Sequence, residues 1–406
     1  MFFIFKKNFS ILYLFKNFLF ILCIILFLLF LISKNLNINK GNYKAQKVVQ
    51  DLEQINKWIN ICKKKKLIRG ILKSSERPKI TALITIFNSN KYINTAIKSV
   101  QNQLFADVEI LLVDDCSTDK SLSIIRNLKY EDKRIKIIQN KKNRGALYSK
   151  SIGILKARGK YIMILDSDDL FANENIFNIC FNQITQNNID IIEFSGYNLN
   201  LENFKLNKTP SIPFYLRYKH NNEFILQPEL SSYIYKKLGK IKYKLIDGFL
   251  WGKCIKSAIF QMALKIVDIY IYHQKINYGD DRIINFILFK VANSFKFINE
   301  YGIIYNYNKD SITHKKKYIN TCHDELINIM SIYNYTKNTR ESEIAAFEII
   351  HRWKNIIFPG LNLNNLKYLI NLMEKILLNK YICLQKKRRI LYFYYILNKK
   401  KRLKLI

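Results

Sequence analysis

Three carboxylates follow an apolar segment in the middle of the chain. Residues 161–165 are almost wholly apolar, and Asp166, Asp168 and Asp169 come directly after them, interrupted only by Ser167. A short apolar run that ends in a polar turn is typical of a strand in a parallel sheet, and ligands bind beyond the carboxyl ends of such strands. Neighbouring carboxylates repel one another unless a cation joins them. The run therefore predicts a site for a divalent cation and a diphosphate; the alternative is a solvated turn that caps the next helix.

The sequence around this run alternates between strand and helix patterns. Such alternation implies right-handed crossovers and a mostly parallel sheet, so we expect an α/β fold. Asp114 and Asp115 follow the second strand pattern and should lie at the same sheet edge as the acidic run. Strand patterns occur at 80–87, 108–113, 134–138, 161–165 and 189–194, and helix patterns at 91–103, 119–128, 145–157 and 173–186.

Five motifs in this region occur in the order and spacing of a known family. Together they make residues 80–196 resemble the family 2 glycosyltransferases, the inverting group with the GT-A fold. The resemblance implies a Rossmann-like, mostly parallel sheet flanked by helices. The motifs are Thr-Ile-Phe-Asn at 85–88, Val-Asp-Asp-Cys-Ser-Thr-Asp at 113–119, Asn-Arg-Gly at 143–145, Gly-Lys-Tyr at 159–161 and Leu-Asp-Ser-Asp-Asp at 165–169.

A looser continuation extends the resemblance to about residue 315. Trp251-Gly252-Lys253 resembles the tryptophan motif before the acceptor site, and the segment 278–282 resembles the Gly-Glu-Asp motif, with Asp280 in place of Glu. Phe87 stands in place of the usual Tyr, and Cys116 in place of Gly. Lys150-Ser151 replaces an Arg-Asn pair, which puts diphosphate contacts from that helix in doubt.

The resemblance implies a role for each acidic motif. Thr85, Asn88 and Asp115 would hold the nucleotide base, because a carboxylate can accept the imide N–H of uracil. For Asp115 the alternative is a helix-capping acid. Asp166 would approach the sugar diphosphate, and Mn²⁺ or Mg²⁺ would be bound by Asp166, Asp168 and Asp169.

The acceptor half carries the implied base of the reaction. Asp281 would take the proton from the acceptor hydroxyl, opposite the leaving group. Its alternative role is an acid at a helix N-terminus, where the dipole favours negative charge. Trp251 and Asp280 are expected to contact substrate.

The implied activity is transfer of a hexosyl or N-acetylhexosaminyl group from a nucleotide-diphosphate sugar, with UDP as the expected nucleotide. The acceptor would be a glycan, protein or lipid, and transfer would invert the anomeric centre. The alternative is a catalytically inactive scaffold or binding protein in a membrane glycosylation complex. Joint retention of Asp115, Asp166, Asp168 and Asp281 argues against it.

The composition raises one other function class. The net charge is +36, with 67 Lys and Arg against 31 Asp and Glu. Such a chain attracts nucleic-acid phosphates. However, lysine is spread almost everywhere, and no RRM, KH, zinc-finger or helix-turn-helix signature is present. We therefore expect no nucleic-acid partner.

Residues 17–33 are uncharged and almost wholly apolar, long enough for a short membrane-spanning helix. No small-residue cleavage site follows them, which favours a signal anchor over a cleaved leader. We expect a single-pass, type II protein of the Golgi or endoplasmic reticulum, although flanking lysines on both sides leave a cytosolic orientation open. The expected order is a tail (1–16), the anchor (17–33), a stem (34–78), the GT-A domain (79–315) and a helical, basic C-terminal region (316–406).

Overall fold

The computed structural model describes about half of the chain. The described residues are 53–63, 77–200, 205–206, 224–226, 235–238, 242–245, 249–267, 275–277 and 279–306, with helical residues at 324, 328, 331–332 and 335–336. The expected tail and anchor, most of the stem and most of the C-terminal region lie outside this part. Within it, no helix combines the length and apolar character needed to cross a membrane.

The chain divides into two units, residues 1–60 and 61–406. The described residues of the first unit belong to helix α1, which covers 53–63. The second unit contains a large sheet and the helices that flank it.

The first half of the sheet follows the predicted alternation. Its buried strands are rich in Ile, Leu and Val, and neighbouring strands in the order β3-β2-β1-β4 pair in parallel. These strands and helices confirm the sequence patterns to within a few residues. The elements are β1 (Ile80–Ile86), α2 (Ile93–Gln101), β2 (Val108–Asp114), α3 (Ser121–Glu131), β3 (Ile135–Gln139), α4 (Ala146–Lys156) and β4 (Tyr161–Asp166).

The second half adds two long strands and several short ones. The sheet continues as β4-β11-β6-β12-β5, with β7 beside β6 and β8 beside β12, while β9 and β10 form a separate hairpin. The elements are β5 (Leu170–Phe171), α5 (Ile176–Gln186), β6 (Ile191–Asn200), β7 (Lys205–Leu206), β8 (Phe224–Leu226), β9 (Tyr235–Leu238), β10 (Lys242–Leu245), β11 (Lys253–Lys256), α6 (Ser257–Ile266), α7 (Asp280–Val291) and β12 (Ser294–Asn306).

The sheet is mixed, so the prediction of a mostly parallel sheet is wrong for this half. Strand β11 lies between β4 and β6 and is antiparallel to both. The prediction extended the strand–helix alternation of residues 80–194, but β11 is only four residues long and gives no such pattern. Besides its backbone pairing, it makes ion pairs from Lys253 to Glu193 (3.1 Å) and from Lys256 to Asp190 (2.7 Å).

The carboxyl ends of β1, β2 and β4 meet at one edge, as predicted. In the strand register Thr85 is opposite both Val113 and Asp166, and Ile86 is opposite Asp114. This edge therefore brings together the polar residues that follow the three strands, and it is where the candidate site lies.

A buried ion pair stabilises the opposite end of the sheet. Arg134 precedes β3, and its Nη2 atom lies 2.8 Å from Asp132 Oδ2, with both side chains almost completely excluded from solvent. Gln101, at the end of α2, donates to the same carboxylate over 3.1 Å. The pair thus joins α2, α3 and β3 away from the site.

We expect Arg134→Met to lower the free energy of unfolding by about 3–5 kcal/mol, because it leaves the Asp132 carboxylate buried without its cation. Chemical denaturation of the purified protein measures this loss. Lys133→Met is the matched control, since Lys133 is exposed and should change stability by less than about 0.5 kcal/mol. Equal stability of the two variants would contradict the structural role of the pair.

Candidate active site

Asp115 fixes the turn that leads into α4. Its Oδ1 atom accepts hydrogen bonds from Arg144 N and Asn140 Nδ2, both at 2.8 Å, and its Oδ2 atom accepts one from Gly145 N at 2.7 Å. Gly145 has φ +93°, and a Cβ there would lie 2.8 Å from Ile276 O, so glycine is required. The Asn-Arg-Gly motif is thus the segment that Asp115 holds.

These contacts give Asp115 a structural role beside the predicted one. The helix-capping alternative takes an unexpected form, because the carboxylate binds N–H groups ahead of α4 rather than at the start of α3. Recognition of a nucleotide base by Asp115 stays a prediction. A base N–H would have to share oxygens that already accept three hydrogen bonds.

The neighbouring Asp114 accepts a hydrogen bond on one of its two side-chain oxygens. Its side chain is fully buried at the end of β2, and its Oδ2 atom accepts a hydrogen bond from Ser117 N at 3.3 Å. Among the described residues, Oδ1 has no hydrogen-bond partner. A buried acceptor of this kind is rare in native structures, and because Asp114 has no exposed surface, a bound N–H group could reach it only if the loop after β2 moved.

The loop after β1 is tied to both acidic loops. Asn88 has a left-handed backbone (φ +48°), and its Oδ1 atom accepts a hydrogen bond from Thr118 N at 2.9 Å. The Oγ atoms of Ser89 and Ser167 are 2.6 Å apart. The structure therefore brings Thr85, Asn88, Asp115 and Asp166 to one edge, with the Asn88 amide oxygen already engaged within the protein.

A lysine lies among the carboxylates of the two halves of the site. Lys150 projects from α4, and its Nζ atom is 2.7 Å from Asp281 Oδ1, 2.9 Å from Asp280 Oδ2 and 3.6 Å from Asp166 Oδ1. The Lys150 side chain is only 6% exposed. The predicted base, its acidic neighbour and the donor-side carboxylate therefore meet around one ammonium group.

Burial and neighbouring charges shift the pKa values of several side chains in and beside this cluster. Burial alone would lower the pKa of Lys150, but Asp166, Asp280 and Asp281 outweigh it and hold that pKa well above its usual value. Burial raises the pKa of Asp280 to about 7, although Lys150 acts against it. Burial also raises the pKa of Asp168 to about 6, and the nearby Asp166 carboxylate adds to this rise. A further cation near Asp168 would therefore relieve repulsion.

The three carboxylates of the acidic run differ in their exposure. Asp169 is buried, and its Oδ1 atom accepts a hydrogen bond from Asn306 N at 2.8 Å. Its Oδ2 atom has no hydrogen-bond partner in the described part of the chain. Asp166 and Asp168 remain partly exposed.

This division allows a test of whether the run fits a metal ion. In the parts of the chain that the structure describes, no three Asp, Glu, His or Cys side chains converge as a ready ligand set. Mg²⁺ is commonly bound by one or two carboxylates plus substrate phosphates. Asp166 and Asp168 fit that arrangement, whereas Asp169 is anchored by β12.

The tryptophan motif places both a backbone donor and an aromatic surface beside the predicted base. Leu250 N donates to Asp281 Oδ2 over 3.2 Å. Trp251, only 5% exposed, stacks between Phe249 and Tyr305, with ring centroids 4.8 and 5.7 Å away. Trp251 thus supports a ring stack whose outer members are partly exposed.

Sequence reasoning missed three participants in this site. Lys150 was noted only as a departure from the family pattern, and its position in a helix could not show which acids it meets. Leu250 contributes through its backbone N–H, for which the sequence carries no signal. Asp114 was passed over for Asp115, although both follow the same strand.

Part of the chain is similar in sequence to known proteins. Residues 81–251 match the family model described as "Glycosyl transferase family 2". An uncharacterized glycosyltransferase of Haemophilus influenzae is 41% identical over 99 residues, 24% of this chain and 40% of that protein. A protein of Borreliella burgdorferi named cholesterol galactosyltransferase is 26% identical over 298 residues, 71% of this chain and 78% of its own.

The solved structures match over a larger share of the chain. The structure of S. aureus TarS 1-349 in complex with UDP-GlcNAc has a TM-score of 0.57 and 14% identity, and the match covers 80% of this chain and 92% of that one. This likeness shows a shared fold, a mixed α/β sheet of the GT-A kind. The chain spans about 40% of the length of the first curated relatives that it matches.

Asp115→Ala should destabilise the ligand-free protein by about 2–4 kcal/mol, because it removes the acceptor of three hydrogen bonds at the start of α4. Denaturant unfolding without nucleotide measures this effect. Asp168→Ala is the matched control: it removes a carboxylate of the same edge that is repelled by its neighbours, and it should leave stability unchanged or higher. If Asp115→Ala were as stable as this control, Asp115 would act on a ligand alone.

Proposed function

We propose that this chain, whose residues 81–251 match the family 2 glycosyltransferases, moves a sugar from a nucleotide-diphosphate donor to an acceptor hydroxyl with inversion. One observation carries the proposal: Asp281 and Asp166, predicted for the acceptor and donor sides, flank a single ammonium group at 2.7 and 3.6 Å. A single displacement needs the donor and the acceptor hydroxyl to be held together in one site, and these two carboxylates belong to the same cluster.

The donor is proposed to be a UDP-sugar with a hexosyl or N-acetylhexosaminyl group. The TarS structure is a complex with UDP-GlcNAc, and that protein shares this fold. Asp115, beside Thr85 at this edge, is proposed to accept an N–H group of the base on an oxygen shared with Arg144 N or Gly145 N. Such charge-assisted hydrogen bonds are short and strong.

Asp281 would act as the general base. Its Oδ2 atom receives a hydrogen bond from Leu250 N and its Oδ1 atom receives one from Lys150 Nζ, so the carboxylate is held from both sides. In the reaction it would accept the proton of the acceptor hydroxyl as that oxygen attacks the anomeric carbon. The nucleoside diphosphate leaves from the opposite face, which inverts the anomeric centre.

A divalent ion is part of the proposal. Asp166 and Asp168 would bind Mn²⁺ or Mg²⁺, which when bound neutralises the charge that develops on the leaving diphosphate. Asp169 would support this loop through Asn306 N, and it would reach an ion only through its remaining oxygen.

The acceptor is proposed to approach the ring stack formed by Phe249, Trp251 and Tyr305. An apolar surface beside the base suits a lipid or the flat face of a sugar ring. The name of the Borreliella relative, a cholesterol galactosyltransferase, favours a lipid hydroxyl. Attachment to a membrane through residues 17–33, also a proposal, would bring the site close to such an acceptor.

The proposed activity predicts metal-dependent donor binding and turnover. Wild-type protein with Mn²⁺ should bind UDP in calorimetry and hydrolyse at least one member of a panel of UDP-sugars. EDTA should abolish both, and Asp168→Ala should reduce binding at least about tenfold because it removes one of two carboxylate ligands. A fully folded wild type that neither binds nor hydrolyses any donor would instead support the inactive scaffold.

Asp281→Asn should separate chemistry from binding. The amide keeps the shape of the side chain but accepts no proton, so kcat should fall by roughly 10²–10⁴ while donor affinity stays within a few-fold. Glu131→Gln, an exposed carboxyl-to-amide change at the end of α3, is the control and should leave both values unchanged. Loss of donor affinity in Asp281→Asn would make Asp281 a binding residue and move the base elsewhere.

A further inference from the structure

Lys150 is the point at which three elements of the site meet. The lysine belongs to α4, Asp166 ends β4, and Asp280 and Asp281 begin α7. An ammonium group has three N–H donors. Here it makes a hydrogen bond to Asp281 and ion pairs to Asp280 and Asp166. The ammonium group therefore has protein carboxylates on the sides of α7 and β4, and one of them, Asp281, accepts a hydrogen bond from it.

The position of the ammonium group is itself fixed by the fold. Asp115 holds the backbone N–H groups of Arg144 and Gly145 immediately before α4. Leu147 N, in the first turn of α4, donates to Ile276 O over 3.3 Å, so the helix start also contacts the segment that leads to α7. The lysine is thus anchored by backbone contacts to both halves of the site.

Removal of this cation would leave three carboxylates close together in a poorly solvated place. Among the described residues, the hydrogen bond from Leu250 N, at 3.2 Å, would then be the one left to set the orientation of the Asp281 carboxylate. One hydrogen bond to one oxygen leaves the carboxylate free to rotate, because its Oδ1 atom would have lost the ammonium group that now holds it at 2.7 Å. The arrangement of the base therefore depends on the lysine.

We propose that Lys150 is a positioning residue that aims the Asp281 carboxylate at the acceptor hydroxyl and holds the start of α7 against the end of β4. This inference rests on the proposed function. It differs from a diphosphate-binding role, in which the ammonium would contact the donor and set its affinity. It also differs from a purely structural role, in which loss of the lysine would act independently of Asp281.

The test compares Lys150→Met, Lys150→Arg, Asp281→Asn and the double variant Asp281→Asn/Lys150→Met. UDP affinity is measured by calorimetry with Mn²⁺, kcat by hydrolysis of the UDP-sugar that the wild type uses, and folding by circular dichroism. Lys156→Met is the matched control, because Lys156 lies on the same helix and is exposed. It should behave like the wild type.

Lys150→Met should lower kcat at least about 10²-fold while UDP affinity stays within about threefold. The double variant should be no more than about threefold slower than Asp281→Asn alone, because a residue that acts through Asp281 has nothing left to position. Lys150→Arg keeps the positive charge with a different geometry, so its kcat should be at least about tenfold higher than that of Lys150→Met.

Three results would overturn the proposal. A fall in UDP affinity that equals the fall in kcat would make Lys150 a donor ligand, and multiplicative losses in the double variant would make it independent of Asp281. If Lys150→Met had the kcat of the wild type, Lys150 would have no role in the reaction. If Lys150→Met does not fold, Lys150→Arg in the wild-type and Asp281→Asn backgrounds gives the same comparison.

The experiment also separates this inference from the proposed function. A wild type that binds no UDP and hydrolyses no UDP-sugar overturns the proposed activity and the inference with it. An active wild type whose rate survives the lysine substitutions overturns the inference alone.

Discussion

The site depends on the pairing of one buried ammonium group with three carboxylates. Each of these charges would be strongly disfavoured in the interior by itself, and together they are stabilised only if α4, β4 and α7 hold them within a few ångströms. Much of the surrounding structure serves that condition. Asp115 accepts a hydrogen bond from Gly145 N at the start of α4. The parallel register of β1 with β4 places Asp166 opposite Thr85. On the other side of the site, Leu250 N donates a hydrogen bond to Asp281. The two predicted halves of the site are therefore joined by electrostatics as well as by the sheet.

The first half of the domain was predictable because its signals are local. Runs such as Val108–Asp114 are buried on both faces, and the helices between them carry clear apolar spacing. The shared direction of β1 to β4 then follows from crossover connections, whereas their order in the sheet was not predicted. The second half gave no such signal. Strand β11 has four residues, and it pairs with β4 and β6, whose residues lie about sixty to ninety positions earlier in the chain.

The same contrast applies to the site residues. Their types and their edge of the sheet were predictable, since strand ends determine where Asp114, Asp115 and Asp166 lie. Their partners were not, because a partner is set by tertiary distance. The Asp115 carboxylate meets N–H groups 29 and 30 residues away, and Lys150 meets Asp281 across 131 residues. A sequence motif shows that a carboxylate is present. Whether that carboxylate binds a ligand, a backbone turn or a cation depends on its contacts in the folded protein.

The distance along the chain between Lys150 and its partners has a consequence for synthesis. When the ribosome has completed β1 to β4, the sheet core and the Asp115 turn can form, but Asp280 and Asp281 do not yet exist. The lysine then has Asp166 as its acidic neighbour, at 3.6 Å in the finished protein. Strand β12, which pairs with β6 and anchors Asp169, emerges later still. The strand ends that carry Asp114, Asp115 and Asp166 are therefore synthesised before α7, and the ion pairs of Lys150 with Asp280 and Asp281 can form only after α7 has emerged.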